Sequence, residues 1–195
     1  MFVTVTALKG GVGKTTTAIH LATYLQQQAP TLLVDADRNR SALVWAKEEK
    51  LPFRVASEAG SHAVIRKYNH IVIDTQPRPE PDDLKDLAQG SDLTVLPTTP
   101  NSLDMDATFK TLELLEPLGV AFRVLLTKVD PRTRSGREAR AQLEARNVPL
   151  FSVEIPLLVA YERAAERGVA VRDYTGARAR LAWKKYEAVG EQVLA

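Results

Sequence analysis

The stretch Phe2-Val3-Thr4-Val5-Thr6-Ala7-Leu8-Lys9-Gly10-Gly11-Val12-Gly13-Lys14-Thr15-Thr16 decides how this chain folds. Its β-branched beginning, residues 2–7, predicts a strand. Beyond it, Ile19, Leu21, Ala22 and Leu25 form an apolar stripe that predicts a helix over residues 14–28. A glycine-rich turn between a strand and a helix is the setting that a phosphate loop requires. Glycines let the backbone turn its N–H groups inward and leave no Cβ in front of them. The helix that follows points its positive dipole end at the same place. Gly10, Gly11, Val12, Gly13, Lys14, Thr15 and Thr16 are therefore candidate phosphate-binding residues, with Lys14 directed at the β- and γ-phosphates and the Thr15 hydroxyl at Mg²⁺. The ordinary pattern G-x-x-x-x-G-K-[ST] fails at its first glycine, which is Leu8 here, and a second lysine, Lys9, stands five residues before Lys14.

Outward from this stretch the chain alternates. Strand patterns are expected at residues 32–34, 53–56, 70–74, 93–96, 121–127 and 150–153. Helices are expected at 41–50, opened by Ser41, and at 57–68, opened by Ser57 with Glu58 in the first turn. Further helices are expected at 81–89, stopped by Gly90, and at 102–115, 135–146, 157–167 and 176–193. Short apolar strands alternating with helices predict an α/β fold, a mostly parallel twisted sheet with helices on both faces. No repeat, low-complexity tract or long linker interrupts residues 1–195, so a single domain is expected. Ligands of such sheets sit beyond the carboxyl ends of the strands.

Three further strand ends carry chemistry. Asp35-Ala36-Asp37 sends two carboxylates out together, Asp35 to support Mg²⁺ through a water and Asp37 to orient an attacking water. Taken alone, D-x-D suits an exposed turn equally well. The apolar run His70-Ile71-Val72-Ile73 ends in Asp74, a second carboxylate placed to hold Mg²⁺ through water. Thr127-Lys128-Val129-Asp130 half-matches the guanine-reading N-K-x-D, with Thr127 in place of Asn.

Composition narrows the classes. The chain has no cysteine, which excludes disulfides, thiolate zinc sites, iron–sulfur clusters and cysteine nucleophiles. His20, His62 and His70 lack metal-ligand spacing and read as packing or surface residues. No run approaches the roughly 18 apolar residues of a membrane span, and the N-terminus lacks the form of a signal peptide, so the protein reads as cytoplasmic. Residues 1–130 hold 14 Lys/Arg against 16 Asp/Glu, whereas residues 131–195 hold 12 against 8. The basic end suits a polyanion such as DNA, and a solvated surface accounts for it as well. The candidate DNA-binding residues are Arg163, Arg167, Arg172, Arg178, Arg180, Lys184 and Lys185, with the loop 132–137 in reserve. Arg163 with Arg167, and Arg180 with Lys184, are four apart and share helix faces. Tyr161, Trp183 and Tyr186 suggest base stacking, but at helical spacing Trp183 and Tyr186 read as packing residues.

The run KGGVGKTT, with its extra lysine at Lys9, resembles the deviant Walker A motif of the ParA/MinD family of ATPases. LLVDADRNRS resembles that family's D-x-D-P-Q motif, with Arg38 and Asn39 in place of Pro and Gln. HIVIDTQP resembles its Walker B motif, with Gln76 a departure, and PTTPNSLD resembles its interface loop P-x-x-P-x-x-x-D. The likeness covers the motifs of residues 1–130 and the C-terminal third only loosely. It implies a P-loop NTPase fold and ATP in preference to GTP, with Mg²⁺, and with Thr127 and Lys128 near the base. It implies that Lys9, Lys14 and Asp37 are catalytic, Lys9 reaching the nucleotide of a partner subunit. It further implies an ATP-dependent homodimer that binds DNA non-specifically and is associated with the nucleoid. A ParB-like or centromere-binding partner then stimulates hydrolysis during partition. The phosphate loop starts within ten residues of Met1, so the separate N-terminal DNA-binding domain of larger relatives is not expected. The nitrogenase-like branch needs bridging cysteines. A MinD-like positioning ATPase attached to membrane is the alternative; Glu187 and Glu191 on a modestly apolar C-terminal helix speak against it.

Overall fold

The computed structural model describes all 195 residues. Six strands form one sheet: β1 (Phe2–Val5), β2 (Thr31–Ala36), β3 (Arg54–Ser57), β4 (His70–Thr75), β5 (Leu93–Thr98) and β6 (Phe122–Leu126). Their order is β3-β2-β4-β1-β5-β6, and every neighbouring pair is parallel. The expected α/β class is the observed one. The connection leaving β1 runs toward β2, and the one leaving its neighbour β4 runs the opposite way to β5. That switch point opens a crevice at the carboxyl end of β1, and the phosphate loop leaves from there.

Eight α-helices cover the sheet: α1 (Lys14–Leu25), α2 (Ser41–Trp45), α3 (Glu58–Ser61), α4 (Pro81–Gln89), α5 (Ser102–Leu115), α6 (Ser135–Glu144), α7 (Val159–Glu166) and α8 (Ala179–Leu194). Strand alternation sends Val3, Val5, Leu33, Val72, Val95 and Leu125 to one face, into a continuous core with α1, α7 and α8. There α8 crosses α1 closely. A Cβ on Gly190 would lie 2.1 Å from the Tyr24 ring, so glycine is what lets that ring seat on the helix backbone. The opposite face is divided. Leu96, Val124 and Leu126 pack with α4, α5 and α6. Leu32, Val34 and Ile71 pack with Val64, Ile65 and Tyr68. Between these two cores lie the buried threonines Thr4, Thr75 and Thr94.

Several expected elements differ. Residues 150–153 form no strand; they meet β6 at one isolated bridge, Val124–Leu150, where Phe151 N donates to Val124 O at 3.0 Å. Pro149 has no N–H to donate, and the Phe151 carbonyl accepts from Arg140 Nη2 at 3.2 Å in place of a β6 N–H, so the ladder stops there. The helix expected at 57–68 shortens to α3 and a 3₁₀ turn at Ile65–Lys67, although Ser57 does accept from Gly60 N at 3.2 Å. Ser41 does not cap α2. Asp35 Oδ2 takes that part, accepting from Leu43 N at 2.9 Å. The helices expected at 81–89 and 102–115 form with those bounds as α4 and α5. Five others shift: α1 ends at Leu25, α2 passes into a 3₁₀ turn at Ala46–Glu48, α6 ends at Glu144, α7 spans Val159–Glu166, and α8 runs from Ala179 to Leu194.

Candidate nucleotide site

The loop after β1 turns through Gly11 (φ 80°) and Gly13 (φ 92°), a left-handed backbone that glycine adopts without steric cost. Thr17 N is the first to bond back along α1, to Gly13 O at 2.9 Å. None of the N–H groups from Gly10 to Thr16 has an acceptor in the protein. The result is a concave row of free donors at the positive end of a twelve-residue helix, which is an anion site.

The loop is fixed from below by β6. Thr127 is buried, and its hydroxyl lies 2.7 Å from Val12 O and 3.1 Å from Thr98 O. It is fixed from behind by His20, whose Nδ1 donates to Thr16 O at 2.6 Å while Nε2 accepts from Val171 N at 3.0 Å. The acceptor role of Nε2 assigns the proton to Nδ1. His20 stacks on Tyr186 at 4.6 Å and meets Tyr161 and Trp45 edge-on, and the Tyr186 hydroxyl reaches Thr17 Oγ1 at 3.2 Å. Burial lowers the His20 pKa to about 4. The packing reading of Trp183 and Tyr186 agrees with their burial, and Tyr161 is buried with them. The part His20 plays had no local signal, because its partner Val171 is 151 residues away.

Charges gather in front of the loop. Lys14 is buried, 7% exposed, with Nζ 3.4 Å from Lys9 O. Burial lowers its pKa, opposed by the nearby carboxylates of Asp74 and Asp37. Asp74 is fully buried, and neither of its oxygens has a hydrogen-bond partner. Burial raises its pKa to about 7; the Thr15 hydroxyl nearby pulls the other way, as does Lys14, while Asp35 and Asp37 add to the rise. Asp35 lies beside Asp74 in the β2–β4 register. Its Oδ1 accepts from Asp37 N at 3.1 Å and its Oδ2 caps α2, so both oxygens also shape the backbone. Asp37 accepts from Asn39 N at 2.9 Å.

The oxygen set of Thr15, Asp35 and Asp74 suits a hard divalent cation, and the orphaned Asp74 carboxylate is the observation that carries this fit. No group of three or more His, Asp or Glu converges to hold a metal unaided. Phosphate oxygens and water would have to supply the remaining ligands.

Beside the loop lies a cavity of about 200 Å³ lined by Gly13, Thr16, Lys128, Pro156, Tyr161 and Glu162, among others. Thr127 borders it as well, but the Thr127 hydroxyl is engaged with the loop. Lys128 holds a left-handed backbone, φ 51°. Residues 155–165 contribute most of this cavity, and no motif marks them.

The loop 97–104 is ordered by local bonds. Asn101 Oδ1 caps α5 through Leu103 N at 2.9 Å, and the Thr99 hydroxyl donates to Asp104 Oδ2 at 2.5 Å. Leu103 beside it is 65% exposed. The seven basic candidates fall into two groups. Arg163 pairs with Glu166 at 2.8 Å, Arg172 pairs with Asp173 at 3.0 Å, and Arg167 lies over the Tyr174 ring. Arg178, Arg180, Lys184 and Lys185, at the start of α8, have no ion-pair partner.

Residues 3–171 match the family described as the CobQ/CobB/MinD/ParA nucleotide binding domain. The chain is 38% identical over 194 residues to maintenance of carboxysome distribution protein A of Gloeobacter kilaueensis, covering 95% of this chain and 90% of that one. Its fold is similar to that of a putative plasmid partition protein from Borrelia burgdorferi bound to AMPPNP. There the TM-score is 0.78 at 19% identity, covering 99% of this chain and 98% of that one. It is also similar to an aspartate-to-alanine variant of Cyanothece McdA in complex with ATP, with a TM-score of 0.77 at 18% identity, covering 98% and 95%. The glycine-built anion cradle at the switch point of the sheet agrees with these matches, and the chain belongs to the CobQ/CobB/MinD/ParA family of nucleotide-binding domains.

Proposed function

We propose that the protein is a positioning ATPase of the partition type, which binds Mg-ATP, dimerises on it, and uses slow hydrolysis to distribute a cellular cargo. The observation that carries the nucleotide part is the row of unpaired N–H donors facing buried Lys14 and orphaned Asp74. The cradle from Gly10 to Thr16 takes the phosphates, and Lys14 neutralises the γ-phosphoryl charge as the bond to it breaks. Thr15 and, through water, Asp35 and Asp74 would hold Mg²⁺, which would supply charge neutralisation at the phosphates. Asp37 orients the attacking water. Lys9, half-exposed at the loop's rim, adds a second cation to the nucleotide of a partner subunit. The base occupies the cavity beside Lys128 and Pro156, and the whole chain acts as one ATPase unit.

The likeness to a carboxysome distribution protein favours a large protein body as cargo, in place of the plasmid or chromosome that the family motifs alone suggest. Such a cargo is moved over the nucleoid when the ATP dimer holds DNA without sequence preference. The unpaired cations Arg178, Arg180, Lys184 and Lys185 form the first face to do so, and Arg163, Arg167 and Arg172 contribute less because acids or rings engage them. A cargo-bound partner protein stimulates turnover and releases the DNA.

The test is DNA binding by the full chain with ATP, with ADP and without nucleotide across a salt series. Binding is expected with ATP alone and should fall steeply as salt rises. ATP-dependent binding to anionic vesicles with none to DNA would replace this reading by that of a membrane-attached positioning ATPase.

A further inference from the structure

The two halves of α8 are held by different means. Its second half packs on α1, where the Tyr24 ring seats against Gly190, and Val189 and Val193 are buried. Its first half carries Arg180, Lys184 and Lys185, with Arg178 at the N-cap, and has a weak start. Arg178 holds a left-handed backbone (φ 62°), no side chain caps the helix, and no acid lies in the first turn. Cations there oppose the positive end of the helix dipole, and Arg180 and Lys184, four apart, repel each other. Beneath them Ala179, Ala182, Trp183 and Tyr186 are buried.

Two tyrosines add polar ties to this half. The Tyr161 hydroxyl donates to Ala182 O at 3.1 Å, and the Tyr186 hydroxyl lies 3.2 Å from Thr17 Oγ1. Their rings meet edge-on at 5.7 Å. Both also line the cavity beside the phosphate loop, together with Gly13, Thr16 and Lys128. The Tyr186 ring is stacked on His20, which bonds Thr16 O at the end of the phosphate cradle. The same two side chains are therefore a wall of the cavity and the fastening of the basic half of α8. A planar group seated in the cavity restricts both rings, and the hydroxyls at the ends of those rings are what tie α8 down. A phosphate chain without a base fills the cradle and leaves the cavity empty.

We propose that Tyr161 and Tyr186 are positioning residues, which fix the basic half of α8 when a nucleoside occupies the cavity. The cationic face of each subunit is then set by nucleotide binding itself, before two subunits meet. The seat of the base and the use of the cations rest on the proposed function.

Hydrogen exchange of the full chain tests this, read over residues 179–186 with saturating ADP, with saturating pyrophosphate and with neither, Mg²⁺ being present throughout. ADP and pyrophosphate carry the same phosphates and differ by the nucleoside, and ADP lacks the γ-phosphate on which dimerisation is proposed. ADP should slow exchange there about fivefold, the effect of steadying one hydrogen bond, and pyrophosphate by less than about twofold. Exchange in α5, which does not line the cavity, should not change. In Tyr161→Phe, at an ADP concentration that saturates the variant, the slowing by ADP should vanish. A bond of structural value alone would speed exchange equally with and without ADP, so an unchanged ratio in this variant overturns the assignment. On the wild-type chain, equal slowing by ADP and pyrophosphate, or slowing in α5 as large as in α8, overturns it as well. ADP that binds without slowing α8 overturns this inference alone, whereas ADP that does not bind overturns the proposed function together with it.

Discussion

The two sides of the phosphate loop are built on opposite rules. Behind it every polar group is matched: His20 has a partner on each ring nitrogen, the Thr127 hydroxyl sits between two carbonyls, and the Tyr186 hydroxyl meets Thr17. In front of it the N–H groups from Gly10 to Thr16 and both oxygens of Asp74 lack partners, and Lys14 is buried with only a long bond to Lys9 O. Unmatched buried charge destabilises a fold. It is tolerated here because the matched side holds the loop rigid, and because a phosphate with a divalent cation would supply the missing partners. If the front of the loop binds the nucleotide, as proposed, mutations on the two sides should separate into effects on stability and effects on binding.

The largest effect is expected in front. Lys14→Ala should weaken ATP binding by about a hundredfold or more, since a charge-assisted contact to phosphate is lost. Its thermal midpoint without nucleotide should stay level or rise, because the variant removes a cation that burial disfavours. Calorimetric titration and a melting curve on one sample check both halves. An unchanged ATP affinity would break the distinction.

Behind the loop, the expected effect is on stability and depends on pH. Burial lowers the His20 pKa from 6.5 to about 4, so between those values the unfolded chain binds the extra proton. Stability from this residue is therefore complete above about pH 6.5 and is lost as pH falls toward 4. The shift corresponds to about 3 kcal/mol in all, of which about 2 kcal/mol is lost between pH 7 and pH 5. His20→Gln should be less stable than wild type at pH 7, and the gap should narrow by that amount at pH 5 in urea denaturation. A gap that does not change with pH would mean that His20 is not held neutral.

The front of the site was legible in the sequence because its parts are local. Gly10 to Thr16, Asp35 with Asp37, and Asp74 each sit within a few residues of a strand end, where spacing and residue type report directly on backbone geometry. The parallel sheet was legible for the same reason, from apolar runs of strand length. The back of the site was not. His20 meets Val171 and Tyr186, Thr127 meets Val12, and Gly190 meets Tyr24, all across distances that no periodicity samples. The strand expected at 150–153 failed because Pro149 lacks an N–H and Arg140 takes the Phe151 carbonyl, and apolarity alone does not reveal that.

Thr127 tests the boundary between the two sides. The family resemblance puts this residue near the base, and it does border the cavity, yet its hydroxyl is directed at Val12 O and Thr98 O. Thr127→Val keeps the shape and removes the hydroxyl, leaving Val12 O buried without that donor. If the residue belongs to the back of the loop, the variant should lose about 1 kcal/mol of stability. ATP and GTP affinity should then fall together, by about threefold, as the loop loosens. If it belongs to the front, stability should hold and the ratio of ATP to GTP affinity should change instead. Parallel titrations of the two nucleotides, set beside a melting curve, separate these outcomes. Because the hydroxyl already has two carbonyls within bonding distance, a common loss of both affinities is the expected result.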